Sequence, residues 1–275
     1  MARERVAFIT GTSTGFGHHI ARGLRADGYA VFATMRHSDD RNRAPREELE
    51  REGIVVLDVD VTDDASVDVA AHAVLRDGGR IDLVVNNAGT AHMGVTEAFT
   101  PASLERQFAT NVVGSARVAR AFLPAMRDAG EGLIVFVSSV VGRFVLPFTG
   151  VYAGSKFAIE AYAESLSFEL RPAGVDIAIV EPGAYATNIL ITSFRPTIRH
   201  GPRRMARRCA TSRRWDRRWA PPRAIPLRSQ PRFARSLRCR QANARYVRWF
   251  RETRRRLRST PPSRRSSAAS SMRMG

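Results

Sequence analysis

Short apolar runs alternate with amphipathic stretches over the first two thirds of the chain. Val6 to Thr10, Tyr29 to Met35, Gly53 to Val59, Ile81 to Val85, Leu133 to Val137 and Val175 to Val180 are runs of five to seven residues dominated by branched and aromatic side chains. Runs that are apolar at successive positions predict strands buried on both faces, as a parallel sheet requires. Between them, apolar residues recur at helical spacing over His18 to Asp27, Ala65 to Arg76, Pro101 to Arg127 and Tyr152 to about Arg171. Asp63 or Asp64 is available to cap the second of these helices. The alternation predicts an α/β fold with a doubly wound parallel sheet, its polar clusters gathered along the C-terminal strand edge.

The first such cluster is Thr10-Gly11-Thr12-Ser13-Thr14-Gly15-Phe16-Gly17, lying between a strand and a helix. Strand, glycine turn and helix together place backbone N–H groups and a helix N-terminus where a pyrophosphate can be bound. The spacing is Gly-x-x-x-Gly-x-Gly rather than Gly-x-Gly-x-x-Gly, and a ligand-free Gly/Thr turn would look similar. His18 and His19 at the helix start read as surface residues. Arg36 closes the second strand, where an acid would bind a ribose 2′-OH and an arginine would accommodate a 2′-phosphate. Arg36 therefore favours NADP(H) over NAD(H), with Asp39 and Asp40 supporting NAD(H). Asn86-Asn87-Ala88-Gly89, after the fourth strand, suits close approach of backbone to a ligand or an ordinary turn.

Ser139, Tyr152 and Lys156 form the third cluster. Residues at i and i+4 share a helix face, so Tyr152 and Lys156 present a phenol and an ammonium to the same ligand. A fixed cation favours the phenolate and brings a group of pKa about 10 toward working pH as a general acid or base. The pair alone is a common coincidence, yet Lys156 is the only lysine among 275 residues. Asn111 lies in the middle of a long helical stretch, where asparagine is a mediocre choice, so its side chain or local backbone has a task or it is simply exposed.

Thr10-Gly-x-x-x-Gly-x-Gly17, Asn86-Asn-Ala-Gly89, Ser139 with Tyr152-x-x-x-Lys156, and Pro182-Gly-x-x-x-Thr187 follow one another in order from residue 6 to about 190. With these motifs the chain strongly resembles the short-chain dehydrogenase/reductase family in its Rossmann-type form. The resemblance implies that Tyr152 exchanges a proton with the substrate oxygen while Ser139 hydrogen-bonds it. Lys156 would lower the pKa of Tyr152 and bind the nicotinamide ribose, and Asn111 would hold a relay water. Thr10, Gly11, Ser13, Gly15, Phe16 and Gly17 would form the pyrophosphate turn. Asp60 and Val61 would bracket the adenine, Asn87 with Ala88 and Gly89 would meet its ribose, and Pro182, Gly183 and Thr187 would meet the nicotinamide end.

Ala33-Thr34-Met35-Arg36, Phe144 to Thr149 and Lys156-Phe157-Ala158 look most like the 17β-hydroxysteroid and retinol dehydrogenase branch, which implies a hydrophobic secondary alcohol or ketone. Gly154 departs from the usual alanine. The resemblance also implies a homodimer or homotetramer paired through the helices after strands four and five.

Charge divides the chain. Residues 1–194 carry 18 Lys+Arg against 24 Asp+Glu, whereas residues 195–275 carry 26 Arg against 2 acids. The first region reads as the catalytic domain. The second, rich in Arg, Pro and Ser, lacks the lid and seventh strand that the resemblance implies and has too few apolar residues to offset the entropy of ordering. It is either a nucleic-acid-binding tail, with Trp215, Trp219, Trp249 and Phe250 to stack among arginines, or the out-of-frame product of a G+C-rich gene, which accounts better for its abrupt onset. Nucleic acid is otherwise not an expected partner, and an inactive or decayed homologue is the competing reading of the whole. Cys209 and Cys239 have no zinc-type spacing, so neither metal nor disulfide framework is expected. With no apolar run of about 18 residues, the default compartment is cytoplasmic.

Overall fold

A computed structural model describes residues 4–183. Six parallel strands, β1 (Arg5–Ile9), β2 (Tyr29–Met35), β3 (Val55–Asp58), β4 (Leu83–Asn86), β5 (Gly132–Val137) and β6 (Val175–Val180), form one sheet in the order β3-β2-β1-β4-β5-β6. The order reverses between β1 and β4. At that point the chain leaves the sheet in opposite directions and opens a crevice at the C-terminal strand ends.

The helices are α1 (Gly15–Ala26), α2 (Arg43–Arg51), α3 (Asp64–Gly78), α4 (Pro101–Phe108), α5 (Ser115–Ala129) and α6 (Gly150–Leu170). Val6, Phe8, Phe32, Val84, Ile134 and Phe136 face one side of the sheet and share a core with α3, α5 and α6. The intervening Ala7, Ile9, Val31, Ala33, Val85 and Val135 are buried as well. Both faces are covered, which is why these strands read as continuous apolar runs rather than alternating ones. Phe8 and Phe122 anchor the centre with ring centroids 4.7 Å apart. Asp63 is the cap of α3, its carboxylate accepting from the Ala65 N–H at 3.0 Å.

Three features differ from the expected pattern. α2 was not foreseen in the sequence, because Leu49 is its only buried residue and, apart from Ala44 and Pro45, the rest of it is charged. Arg43–Glu47 and Arg46–Glu50 ion pairs at i,i+4 support it instead. Gly53 belongs not to β3 but to the turn that ends α2, with φ +74°. The long helical stretch is also interrupted: Ala109–Gly114 winds as a π-helix between α4 and α5. The wider turn lets Gly114 come against Val61, where a Cβ would lie 2.8 Å from Val61 Cγ2. Thr187 and residues 195–275, with their expected tail, lie outside the described residues. Among the described residues no helix is long and apolar enough to cross a membrane.

Candidate active site

The glycine turn is stitched to both neighbouring strands. Thr12 donates its N–H (2.9 Å) and its hydroxyl (3.1 Å) to the Thr34 carbonyl of β2. Thr10 Oγ1 accepts from the N–H groups of Asn87 and Ala88, each at 3.0 Å. The Asn87 amide donates to the carbonyls of both Thr10 and Gly11, so this side chain shapes the turn itself. Gly11 has φ +70°, and a Cβ there would sit 2.7 Å from Ala88 Cα, so glycine is required on both counts.

Thr14, the residue before α1, caps it with no side-chain hydrogen bond, and the first turn carries no acid. Its N–H groups and dipole therefore face Ser13, Thr14 and Gly15 in a cleft of about 530 Å³ that also includes His18, Arg41 and Asn42. Glu48, which meets His18 and Arg22, and Arg51 also line the cleft, and a helix N-terminus beside its arginines fits a pyrophosphate. Phe16 is half-buried in that first turn. His18 is not a plain surface residue: its side chain is 12 % exposed, with Nδ1 3.2 Å from the Thr12 carbonyl and Nε2 3.4 Å from Glu48.

At the end of β2, Arg36 Nη1 lies 3.4 Å from Asp60 Oδ2. Burial pushes the Asp60 carboxyl up, but hydrogen bonds from Thr62 and the Arg36 charge outweigh it and hold the group below the usual range. Val61 is buried against Gly114 and gives its carbonyl to Arg117 Nη1 at 2.6 Å. Asp39 is paired with Arg46 of α2.

Ser139, Tyr152 and Lys156 come together where β5 meets α6. The Ser139 hydroxyl accepts from the Val141 N–H at 3.4 Å and is near enough to the Tyr152 phenol to favour its ionised form. Lys156 Nζ donates to the Val137 carbonyl at 2.8 Å and lies 5.7 Å from the centre of the Tyr152 ring. Burial drives the Lys156 ammonium down to about 8, opposed by the Glu160 carboxylate. Burial also pushes the Tyr152 phenol up, with the Ser139 hydroxyl pulling the other way. The expectation that the neighbouring cation brings the phenol down is thus not met by the protein groups alone: desolvation dominates.

Asn111 sits inside the π turn, buried. Its Oδ1 accepts from the Thr90 N–H (2.9 Å), and its Nδ2 donates to the Thr90 carbonyl and to Ser155 Oγ, both at 3.0 Å. Gly89 approaches so closely that a Cβ would be 3.3 Å from Asn111 Oδ1. Ser155 Oγ, fully buried, donates to the Tyr152 carbonyl at 2.7 Å and accepts from Gln107 at 3.4 Å. Ser155 and Gln107 were missed in the sequence. Both lie in helices that carry other polar residues, so nothing in the local pattern singled them out. Pro182 gives its carbonyl to the Val140 N–H at 3.0 Å, which brings Pro182 and Gly183 beside Ser139. Among the described residues no three His, Cys, Asp or Glu side chains cluster as a metal site.

The model of the short chain dehydrogenase family matches residues 5–196. The chain belongs to that family. It is 36% identical over 185 residues to 3-ketodihydrosphingosine reductase of Bacteroides thetaiotaomicron, covering 67% of this chain and 65% of that protein. It is 38% identical over 199 residues to human 17-beta-hydroxysteroid dehydrogenase type 1, covering 68% and 58%. The chain thus spans less than two thirds of the length of these two relatives. Among solved structures, an alcohol dehydrogenase of the archaeon Thermococcus sibiricus complexed with 5-hydroxy-NADP superposes with TM-score 0.63 at 30% identity, covering 70% of this chain and 86% of that one. A 3-ketoacyl-(acyl-carrier-protein) reductase of Brucella melitensis complexed with NADH gives 0.65 at 28%, covering 70% and 80%.

Proposed function

We propose that the chain is an oxidoreductase that moves a hydride between NADP(H) and a hydrophobic secondary alcohol or ketone. The observation that carries this reading is the meeting of the Ser139 hydroxyl, the Tyr152 phenol and the buried Lys156 ammonium at the end of β5, on the same sheet edge as the glycine turn. When bound, the nicotinamide cofactor supplies or accepts the hydride. Ser13, Gly15, Phe16 and Gly17 receive its pyrophosphate, Asp60, Val61 and Asn87 flank the adenosine, and Pro182, Gly183 and Thr187 meet the nicotinamide end. Tyr152 transfers a proton to or from the substrate oxygen, Ser139 orients that oxygen, and Lys156 stabilises the phenolate that proton transfer leaves behind. Asn111 holds a water behind Lys156 for the relay.

NADP(H) is favoured over NAD(H) because Arg36, its side chain 45% exposed, closes β2, while Asp39 is turned to Arg46. Exposed Phe144, Val145 and Leu146 between Ser139 and Tyr152 support an apolar substrate, as do the sphingoid ketone and the steroid in the names of the two relatives. Exposed Phe157 and Phe168 lie eleven residues apart along α6 and support pairing of two chains through that helix.

Soluble protein mixed with NADPH and a panel of apolar ketones is the test. NADPH oxidation is expected, reduced about a hundredfold or more in Tyr152→Phe with NADPH affinity unchanged. Failure of the wild-type protein to bind NADPH or NADH would sink the reading. A second reading rests on the 26 arginines against 2 acids in residues 195–275: anion binding, seen as salt-sensitive DNA binding that disappears when those residues are deleted.

A further inference from the structure

Three consecutive residues at the C-terminal end of β5 are each held by a different turn of α6. Ser139 adjoins the Tyr152 phenol, Val137 accepts from Lys156 Nζ at 2.8 Å, and Ser138 Oγ donates to Glu160 Oε1 at 2.6 Å. Tyr152, Lys156 and Glu160 follow at intervals of four and so line one face of the helix. The first two rungs belong to the site already described, but the third has no role in it.

We propose that Glu160 is a positioning residue for the proton-transfer group. It fixes Ser138, and with it the adjoining Ser139, against Tyr152, and it keeps a negative charge one helical turn behind Lys156 that helps to hold the lysine protonated. What that protonation serves rests on the function proposed above; the geometry does not.

Glu160 is 3% exposed, and a buried carboxylate is costly unless it is compensated. Its surroundings are arranged around it. Gly142 leaves room for it: a Cβ there would be 2.4 Å from Glu160 Oε1 and 2.7 Å from Ser138 Oγ. Arg143, the next residue, brings Nε within 2.6 Å of Glu160 Oε2, although that N–H is directed at Glu181 (2.9 Å) and Nη1 at Glu164 (2.9 Å). Oε2 therefore has a charge contact without a hydrogen bond. The charged groups facing Glu160 are Lys156 and Glu164 of α6, Arg143 after β5 and Glu181 after β6.

Burial raises the Glu160 carboxyl while Ser138 and Arg143 pull it back. Its carboxylate in turn opposes the fall of Lys156, which burial takes to about 8. An inert strut would not need the charge. A glutamine could accept from Ser138 equally well and would remove the under-compensated Oε2, so a purely structural role makes Glu160→Gln neutral or stabilising.

Because Lys156 is the only lysine in the chain, protein labelled with 13Cε-lysine shows one lysine side-chain resonance. Its pH titration in the wild type, Glu160→Gln and Glu160→Met tests the inference without reference to turnover; the second variant covers a failure of the first to fold. The wild-type midpoint is expected near 8, and both variants should titrate at lower pH. Where the protein turns over a ketone, the alkaline limb of kcat should move down with the resonance. A kcat lower by roughly tenfold or more in Ser138→Ala would follow from misplacement of Ser139. Identical lysine midpoints in wild type and variants overturn the inference. A shifted midpoint in a protein that reduces no ketone overturns the proposed function and leaves the Glu160–Lys156 coupling standing.

Discussion

The Asn87 amide nitrogen lies 2.9 Å from the Gly11 carbonyl oxygen, and a Cβ on Gly17 would come within 2.4 Å of that same nitrogen. One side chain from the end of β4 thus holds the glycine turn while the helix that follows is stripped bare to admit it. Asn87→Ala leaves the Thr10 and Gly11 carbonyls without their donor at a cost of about 1–3 kcal/mol. A lower thermal midpoint and weaker dinucleotide binding should appear together. A variant that binds cofactor normally at reduced stability would show that the turn keeps its shape without Asn87.

Gly154 predicts the opposite sign. A Cβ there would meet only Phe108 Cζ, at an ordinary 3.9 Å, and the residue lies within α6 without a positive φ. Gly154→Ala should stabilise the protein by up to about 1 kcal/mol through helix propensity and a less free unfolded chain. Differential scanning of the two proteins checks this, with Gly17→Ala as the destabilised contrast, since its Cβ would lie 2.3 Å from the Gly11 oxygen.

The difference between these glycines marks how far the sequence could be read. The strands were plain, because at the centre of the sheet both faces are covered and nearly every position is apolar: β2 and β6 fall on the expected residues, and the others within a few. Tyr152 and Lys156 were legible as a pair, since one helical interval carries them, whereas the role of Ser139, which lies after β5, entered only through the family resemblance. α2 was hidden because charge pairs rather than an apolar stripe stabilise it, and the π turn because the approach it allows, of Gly114 to Val61 about fifty residues away in the chain, leaves no mark on local spacing. The same holds for Ser155, Gln107 and Glu160. Each acts through partners that only the folded chain brings near, and the raised phenol of Tyr152 reflects burial that spacing does not encode.

Arg36 and Asp60 make an ion pair across 3.4 Å beside the position assigned to the adenosine 2′ group. Arg36→Ala removes a cation from that position and leaves Asp60 facing it. Charge-assisted hydrogen bonds of about 1.5–3 kcal/mol are then lost to a 2′-phosphate, so affinity for NADPH should fall tenfold or more relative to NADH. Fluorescence titration with both nucleotides measures the ratio. An unchanged ratio would place the discrimination elsewhere, with Arg41 of the adjoining cleft the next residue to replace.

Lys156 couples function to stability with a definite sign. Its folded-state pKa is about 8, whereas an unfolded lysine titrates near about 10.4. Between these values the unfolded chain holds the proton and the folded chain does not, so unfolding free energy rises with pH across the interval; below it both states are protonated and the gain is lost. The buried ammonium therefore costs the folded state on the order of 3 kcal/mol at neutral pH. Tyr152 acts the other way: burial raises its phenol, so above about pH 10 the folded chain keeps a proton that the unfolded chain releases, and stability declines. Lys156→Met should accordingly be more stable than the wild type at pH 7, inactive, and free of the upward slope between pH 8 and 10. Denaturant unfolding of both proteins across that range decides the matter: equal slopes would mean that the lysine keeps its proton in the folded protein, held there by Glu160 more firmly than burial can remove it.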